Sequence, residues 1–183
     1  NYTENKCDFA TKKFNELSYL RYKIIIELLN QNYNVWYLDV DTVVLKDLNT
    51  IFYEKYNNNS YDIVFQHDIN MYCTGCMLLK PNPKNIYLCQ LLWNNRNSND
   101  NDQILLRSIL ISNPNVLNTQ YFDIYKFPNG LLFFNELRKE PDVRTAQLRC
   151  RNPNNDTYFV HANWLVGVDT KINALKSKGF WFI

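Results

Sequence analysis

Between an amphipathic stretch and a pair of aspartates lies a run of four apolar residues, Val35-Trp36-Tyr37-Leu38, with no polar alternation. A strand with one wet face shows a polar residue at every second position; a run without them is covered on both sides. Such a strand needs packed layers above and below it, and the flanking segments supply them. Upstream, Phe14, Leu17, Arg21, Ile24 and Leu28 recur at helical spacing, with Ile25 and Leu29 widening the stripe, and the helix is predicted to end near Asn30 to Asn34. Downstream, Asp47 is the predicted cap of a short helix through Ile51 and Tyr56, followed by a loop from Asn57 to Ser60. Tyr61 to Gln66 and Cys76 to Leu79 read as strands, the second ended by Pro81 and Pro83. Ile86, Cys89, Leu92 and Trp93 mark a second helix, and Asn99-Asp100-Asn101-Asp102 opens a third with Leu105, Leu106, Ile109 and Leu110 on its apolar face. Phe122 to Phe127 is predicted as a strand stopped by Pro128-Asn129-Gly130, Thr157 to Val160 as another followed by His161, and Val168 to Ser177 as a final helix. Helices alternating with short buried strands make an α/β layered domain. With no internal repeat and no linker, residues 1–183 are expected to form one domain.

Composition narrows the function classes. A formal net charge of +2 with scattered Lys and Arg provides no field for nucleic acid or a membrane surface. No apolar stretch approaches the ~20 residues of a membrane span. The compartment stays open: cytoplasm or, were an anchor encoded elsewhere, Golgi lumen. Five cysteines, Cys7, Cys73, Cys76, Cys89 and Cys150, are an odd number in a chain large enough to fold without staples, which favours reduced thiols. Cys73-Thr74-Gly75-Cys76 has no second Cys pair, and residues three apart on a strand face opposite ways, so a zinc or redox pair is not expected. Asparagine is abundant and glycine, at 4 residues, scarce; this reads as coding bias, and Asn155-Asp156-Thr157 as a chance glycosylation match.

Chemistry concentrates in Tyr37-Leu38-Asp39-Val40-Asp41-Thr42-Val43-Val44. Side chains two apart on an extended segment share a side, so Asp39 and Asp41 present paired carboxylates. They lie where a buried strand ends, the usual ligand edge of an open α/β sheet. Close carboxylates repel unless a cation neutralises them, and oxygen donors suit a hard divalent ion such as Mg²⁺ or Mn²⁺ that can also bridge phosphates. The bland alternative is a solvated turn with one Asp as a cap. Two enzyme classes use the pattern. Aspartate-nucleophile (HAD-like) phosphatases show two aspartates one residue apart after a hydrophobic strand, matched by Asp39 and Asp41 with Thr42 following, but that strand opens their fold and a later acidic pair is needed. Here a helix comes first and no such pair follows. A carbohydrate-binding module without metal or nucleotide is a further alternative, since an aromatic content of 15% permits it.

The stretch from Phe159 to Lys171, with His161, Gly167 and Lys171, resembles the His…Gly…Lys signature of retaining GT-A-type nucleotide-diphospho-sugar transferases, the group with plant cell-wall xylosyl, arabinosyl and galactosyl enzymes. Tyr37 to Asp47 is similar to that family's strand and DxD block, Asn101-Asp102-Gln103 to its Asp-Gln segment, and Phe127-Pro128-Asn129-Gly130 to its Phe-Pro-x-Gly turn, all in the family's order. The resemblance implies a GT-A-like, Rossmann-type mixed sheet flanked by helices, and transfer of a sugar from a UDP-linked nucleotide donor to a glycan, protein or lipid acceptor. It implies Asp39, Asp41 and His161 as metal ligands, the imidazole nitrogen favouring Mn²⁺ over Mg²⁺. It implies Asp102 and Gln103 as catalytic candidates beside the anomeric carbon, Asp102 doubling as a helix N-cap. Asp39, Thr74, Gly75, Asn163, Gly167 and Lys171 become donor-binding candidates: Gly167 lets backbone approach a diphosphate, and Lys171 neutralises phosphate from the first helical turn. Asn163 and Trp164 are implied near the acceptor, while Trp36, Trp93 and Trp181 read as packing residues. Such folds open with a base-binding strand and helix; only one helix precedes Asp39, so that first unit is expected to be missing from these residues.

Overall fold

Two apolar cores, one on each face of a mixed sheet, account for the absence of polar alternation in the strands. The structure, a computed structural model, describes residues 11–57, 60–69, 71–98, 100–134 and 156–181. Cys7, Cys150, Asn155, Asn58, Asn59 and Asn99 lie outside the described residues. The elements run α1 (Lys12–Asn30), β1 (Val35–Leu38), β2 (Thr42–Val44), α2 (Leu48–Ile51) continued by a π-helical turn (Phe52–Tyr56), β3 (Ile63–Asp68), β4 (Met71–Leu79), α3 (Pro83–Asn94), α4 (Asp102–Ser112), β5 (Thr119–Tyr121), α5 (Gly130–Phe133), β6 (Phe159–His161) and α6 (Val168–Ser177). The main sheet has the order β1-β4-β3-β5, antiparallel except for β3 with β5; β2 and β6 form a separate antiparallel pair.

Strand parity sorts the side chains. Ile63, Phe65, Met77 and Leu79 enter one core with Tyr19, Tyr22, Ile25 and Leu29 of α1, Leu88 and Leu92 of α3 and Leu106 of α4. Val64, Cys76 and Leu78 enter the other with Ile51, Phe52, Phe122, Phe127 and Phe159, where the Trp36 indole stacks on Phe122 with ring centroids 5.4 Å apart. Full burial of each such side chain is worth about 1.5–3 kcal/mol, so both layers are needed to hold the strands. A third cluster joins Phe133 and Phe134 at α5, Val160 and Ala162 at β6, and Ala174 and Leu175 on α6.

Local signals set most helix starts. Thr11, Asp47, Asn82 and Asn129 each accept a backbone N–H of the helix that follows, and Pro83 occupies the first turn of α3, where its missing N–H costs nothing. Four expectations need correction. The face of α1 is rotated from the predicted stripe: Leu17 and Ile24 are 44% and 60% exposed, while Asn15, Ser18, Tyr19 and Tyr22 are buried. Tyrosine hydroxyls that find partners inside outcompete the aliphatic side chains for the interior. Phe122 to Phe127 is not a strand. The segment leaves the sheet after β5, because the Asp123 carboxylate and carbonyl accept the N–H groups of Tyr125, Lys126 and Phe127 and close a turn. Asn101, not Asp102, caps α4, its side chain accepting from Ile104 N. Finally, Asp39 to Asp41 is a turn rather than extended strand: Thr42 N donates to Asp39 O at 3.1 Å, and Val40 stands fully exposed at its tip.

Candidate active site

The pairing of β2 with β6 brings together residues far apart in sequence. Thr42 lies opposite His161 in that ladder, and Ala162 N donates to Asp41 O at 2.9 Å, so His161 arrives beside the aspartate turn. One ligand atom from each of Asp39, Asp41 and His161 can be chosen so that all three lie within 4.8 Å of one another, the only such His, Cys, Asp and Glu group among the described residues. His161 Nε2 is 3.2 Å from Asp41 Oδ1, and Lys171 of α6 donates to Asp41 Oδ2 at 2.6 Å. Two carboxylate oxygens and an imidazole nitrogen suit a divalent cation.

Glycine makes the convergence possible. A Cβ on Gly75 would lie 2.4 Å from Asp39 Oδ2 and 2.7 Å from His161 Cε1, closer than atoms can approach. Gly75 therefore forms the floor on which the acid and the imidazole meet, a cradle that any side chain would fill. The β3–β4 register slips here: Phe65 pairs with Met77, but the next residue, Gln66, pairs with Cys73. The slip leaves Thr74 and Gly75 without partners in β3; side chains of the site take the Thr74 backbone, and Gly75 continues the ladder towards β1. Arg21 Nη1 donates to Thr74 O at 2.6 Å, Thr74 N donates to Gln103 Oε1 at 3.4 Å, and Asp39 N donates to Gly75 O at 2.7 Å. Irregular ladders of this kind re-aim groups at functional edges.

Behind the turn lies an ion network that sequence reasoning missed. The Arg21 guanidinium sits 3.5 Å from Asp39 Oδ1 and 3.7 Å from Asp102 Oδ2 and covers the Tyr37 ring, whose hydroxyl donates to Asp39 Oδ1 at 2.8 Å. Asp102, in the first turn of α4, also accepts from the buried Tyr22 hydroxyl at 2.9 Å. A charged residue in the middle of an apolar helical stripe was the available signal for Arg21. Asp68, buried at the end of β3, had none. Its Oδ2 accepts from Gln103 Nε2 at 3.0 Å and its Oδ1 from the Trp164 indole N–H. Trp164 adopts φ 66°, a left-handed backbone costing on the order of 1 kcal/mol for a non-glycine residue.

The remaining sequence candidates fall around this centre. Gly167, with φ 90°, precedes α6 and leads the helix N-terminus towards Lys171. Asn163 Oδ1 accepts from Gly130 N at 2.6 Å, and a Cβ on Gly130 would overlap Asn163 O, so this asparagine also holds the Phe-Pro-Asn-Gly turn. Cys73 and Cys76 part company as expected, Cys76 in the core beside Trp36 and Cys73 with its sulfur 3.8 Å from His161 Nδ1.

Electrostatics follow from this geometry. Burial pushes the Asp41 carboxyl up, but the hydrogen bond and charge of His161 and the Lys171 ammonium outweigh it and hold Asp41 well below the usual carboxylate range. Burial pushes His161 down, whereas the Cys73 sulfur and the Asp41 carboxylate raise it, to about 10. Burial also lifts Cys73 above the usual thiol range, so it is uncharged near pH 7 and Asp41 is the partner that decides the sign for His161.

A mixed α/β sheet with paired carboxylates, an imidazole and a helix N-terminus at one strand edge has the layout of GT-A-like sugar transferases. Residues 1–175 match the nucleotide-diphospho-sugar transferases, and the chain belongs to that family. It is 24% identical over 207 residues to the UDP-galactose:fucoside alpha-3-galactosyltransferase of Dictyostelium discoideum, a match covering 100% of this chain and 30% of that protein. This chain thus spans about a third of the relative's length. Among solved structures it is similar to a glycosyltransferase involved in glycosylation of the major capsid of PBCV-1, with a TM-score of 0.53 and 14% identity, covering 95% of this chain and 80% of that one. This likeness shows the fold. Family membership decides against the phosphatase reading of Asp39 and Asp41. No helix among the described residues is long and apolar enough to cross a membrane.

Proposed function

We propose that this chain carries the metal-dependent catalytic centre of a glycosyltransferase that moves a sugar from a UDP-linked donor to a hydroxyl of a glycan, protein or lipid, with retention of anomeric configuration. The observation that carries the reading is the meeting of Asp39, Asp41 and His161 over the bare backbone of Gly75. Their mixed oxygen and nitrogen donor set fits Mn²⁺ better than Mg²⁺. When bound, such an ion supplies positive charge that stabilises the departing diphosphate.

The protein's own groups divide the remaining work. Lys171, whose ammonium lies against Asp41, and the backbone N–H groups at the start of its helix α6, opened by Gly167, donate to phosphate oxygens. Gln103, fixed between Thr74 N and Asp68, and Asp102, fixed by Tyr22 and Arg21, orient the sugar next to its anomeric carbon. Both buried carboxylates near Gln103 already accept hydrogen bonds from positioned donors, which blunts them as nucleophiles. Transfer on the front face, with the acceptor hydroxyl entering as the diphosphate leaves, is therefore favoured over double displacement. The exposed side of Trp164 offers the acceptor an aromatic surface.

The test is release of nucleotide diphosphate from a panel of nucleotide sugars with Mn²⁺. UDP-galactose comes first, because the Dictyostelium relative's name couples it to galactosyl transfer. Asp41→Ala and His161→Ala should each lower release at least 100-fold, in line with the loss of a charge-stabilising group. Release at the parent rate by either variant sinks the reading.

A further inference from the structure

Gln66 has no part in the roles described so far, yet it is fully buried and touches a candidate metal ligand. Its Oε1 lies 2.8 Å from His161 Nδ1, and its Nε2 donates to two backbone carbonyls, Phe127 O at 3.2 Å and Pro128 O at 3.0 Å. These two carbonyls decide which way the amide faces. Turned over, the amide would set its oxygen against both carbonyl oxygens and forfeit two hydrogen bonds inside the protein, where unpaired polar atoms are costly. In the observed sense the oxygen is presented to His161 and can only accept. Nδ1 must then be the nitrogen that carries hydrogen, and Nε2, on the other side of the ring and 3.2 Å from Asp41 Oδ1, is the one that faces the acidic pair and would offer its lone pair to a cation.

The carbonyls come from the Phe127-Pro128-Asn129-Gly130 turn, so that turn has a second use. Pro128 donates nothing from its own backbone nitrogen, and its carbonyl also lies 3.5 Å from His161 N. The register slip after Phe65 is what sets Gln66 opposite Cys73 and under the imidazole. The Cys73 sulfur, 3.8 Å from the same Nδ1, can accept weakly and does not compete with the amide oxygen.

We propose that Gln66 is a positioning residue for the cation site: held by the Phe127 and Pro128 carbonyls, it fixes the His161 ring and its tautomer so that Nε2 is the metal ligand. This deepens the metal reading of Asp39, Asp41 and His161 and rests on it. The orientation reaches the ion through three consecutive contacts, from turn carbonyl to amide, amide to imidazole, and imidazole to metal. Removing an outer partner of a ligating histidine weakens metal affinity by about 10- to 100-fold.

The experiment measures Mn²⁺ affinity from the free-ion electron paramagnetic resonance signal for the parent, His161→Ala and Gln66→Met. Methionine matches glutamine in length and removes both the acceptor and the donors. Gln66→Met should bind Mn²⁺ about 10- to 100-fold more weakly than the parent, with an unchanged far-ultraviolet circular dichroism spectrum. A folded Gln66→Met with parent affinity overturns the proposal and leaves the metal reading standing. A parent that takes up no Mn²⁺, or a His161→Ala that binds as tightly as the parent, overturns both. A measurement on the parent alone keeps the question answerable if the variant does not fold. Long-range ¹H–¹⁵N correlation of the histidines with Zn²⁺ as a diamagnetic stand-in should show His161 protonated at Nδ1; a proton on Nε2 refutes the assignment.

Discussion

Replacing Gly75 by alanine puts a methyl group in the floor of the candidate site while asking nothing of the backbone, since the positive-φ glycines among the described residues are Gly167 and Gly179. The added carbon would sit 2.4 Å from Asp39 Oδ2, 2.7 Å from His161 Cε1 and 3.0 Å from Asp39 Cγ. Relieving those contacts to an ordinary separation near 3.5 Å moves the carboxylate and the ring by about 1 Å between them, and a misplacement of that size costs about 100-fold where geometry is demanding. Overpacking adds a stability loss of about 1–3 kcal/mol, which lowers Tm by roughly 2–12 °C in a chain of this size. The assays are Mn²⁺ affinity, nucleotide-diphosphate release and thermal melting of Gly75→Ala beside the parent. Affinity and release should each fall about 100-fold at temperatures where the variant is fully folded. Parent-like Mn²⁺ affinity in a folded Gly75→Ala would refute the reasoning, because Asp39 and His161 would then not converge across this glycine.

Arg21→Met removes the cation shared by Asp39, Asp102 and the Thr74 carbonyl; breaking a buried pair costs about 3–5 kcal/mol, to be read from the midpoint and slope of urea unfolding. Asp68→Asn leaves one accepting oxygen for two donors, so its amide must face either Gln103 Nε2 or the Trp164 N–H; transfer rate should fall on the order of 10- to 100-fold with Mn²⁺ affinity unchanged, measured by steady-state kinetics and metal titration. With metal chelated away, stability should peak in the mildly acidic range. The raised His161 pKa contributes stability fully present below the unfolded value of 6.5 and lost as pH rises towards about 10, whereas the lowered Asp41 pKa contributes stability present above 3.8 and lost in strong acid. Thermal melts from pH 4 to 10 should show the alkaline decline in the parent and a flatter limb in His161→Ala; an unchanged limb would place the titration elsewhere.

Near-neighbour chemistry made much of this protein readable from its residues. Asp47 capping the helix at Leu48, and the span of α6 from Val168 to Ser177, depend on residues a turn apart and could be read directly. The short strand of Val35 to Leu38 with its acidic pair directly after it was equally local, although only Val35 is fully buried and the pair sits on a turn, as was the parting of Cys73 and Cys76 along β4. What lay beyond reach were choices settled by contacts across the fold. Tyr19 and Tyr22 rotate α1 inward because the Asp100 carbonyl and the Asp102 carboxylate accept from their hydroxyls, the first also paired with the Ser98 hydroxyl, which leaves Leu17 and Ile24 outside. Phe122 to Phe127 has the composition of a strand, yet β5 closes the ladder at Tyr121 and its phenylalanines serve the second core instead. The turn at Asp39 to Asp41 comes near His161 only because β2 pairs with β6, and the three meet only because Gly75 leaves room. Arg21, Gln66 and Asp68 show the same limit. Each is an ordinary polar residue in its own neighbourhood, and each acquires its site partners 16 to 96 positions away through a register slip or a helix packed on a sheet. Residue types and their spacing determine local backbone and which chemistry is available; only the tertiary structure decides which groups meet, because burial and pairing energies are summed over the whole chain.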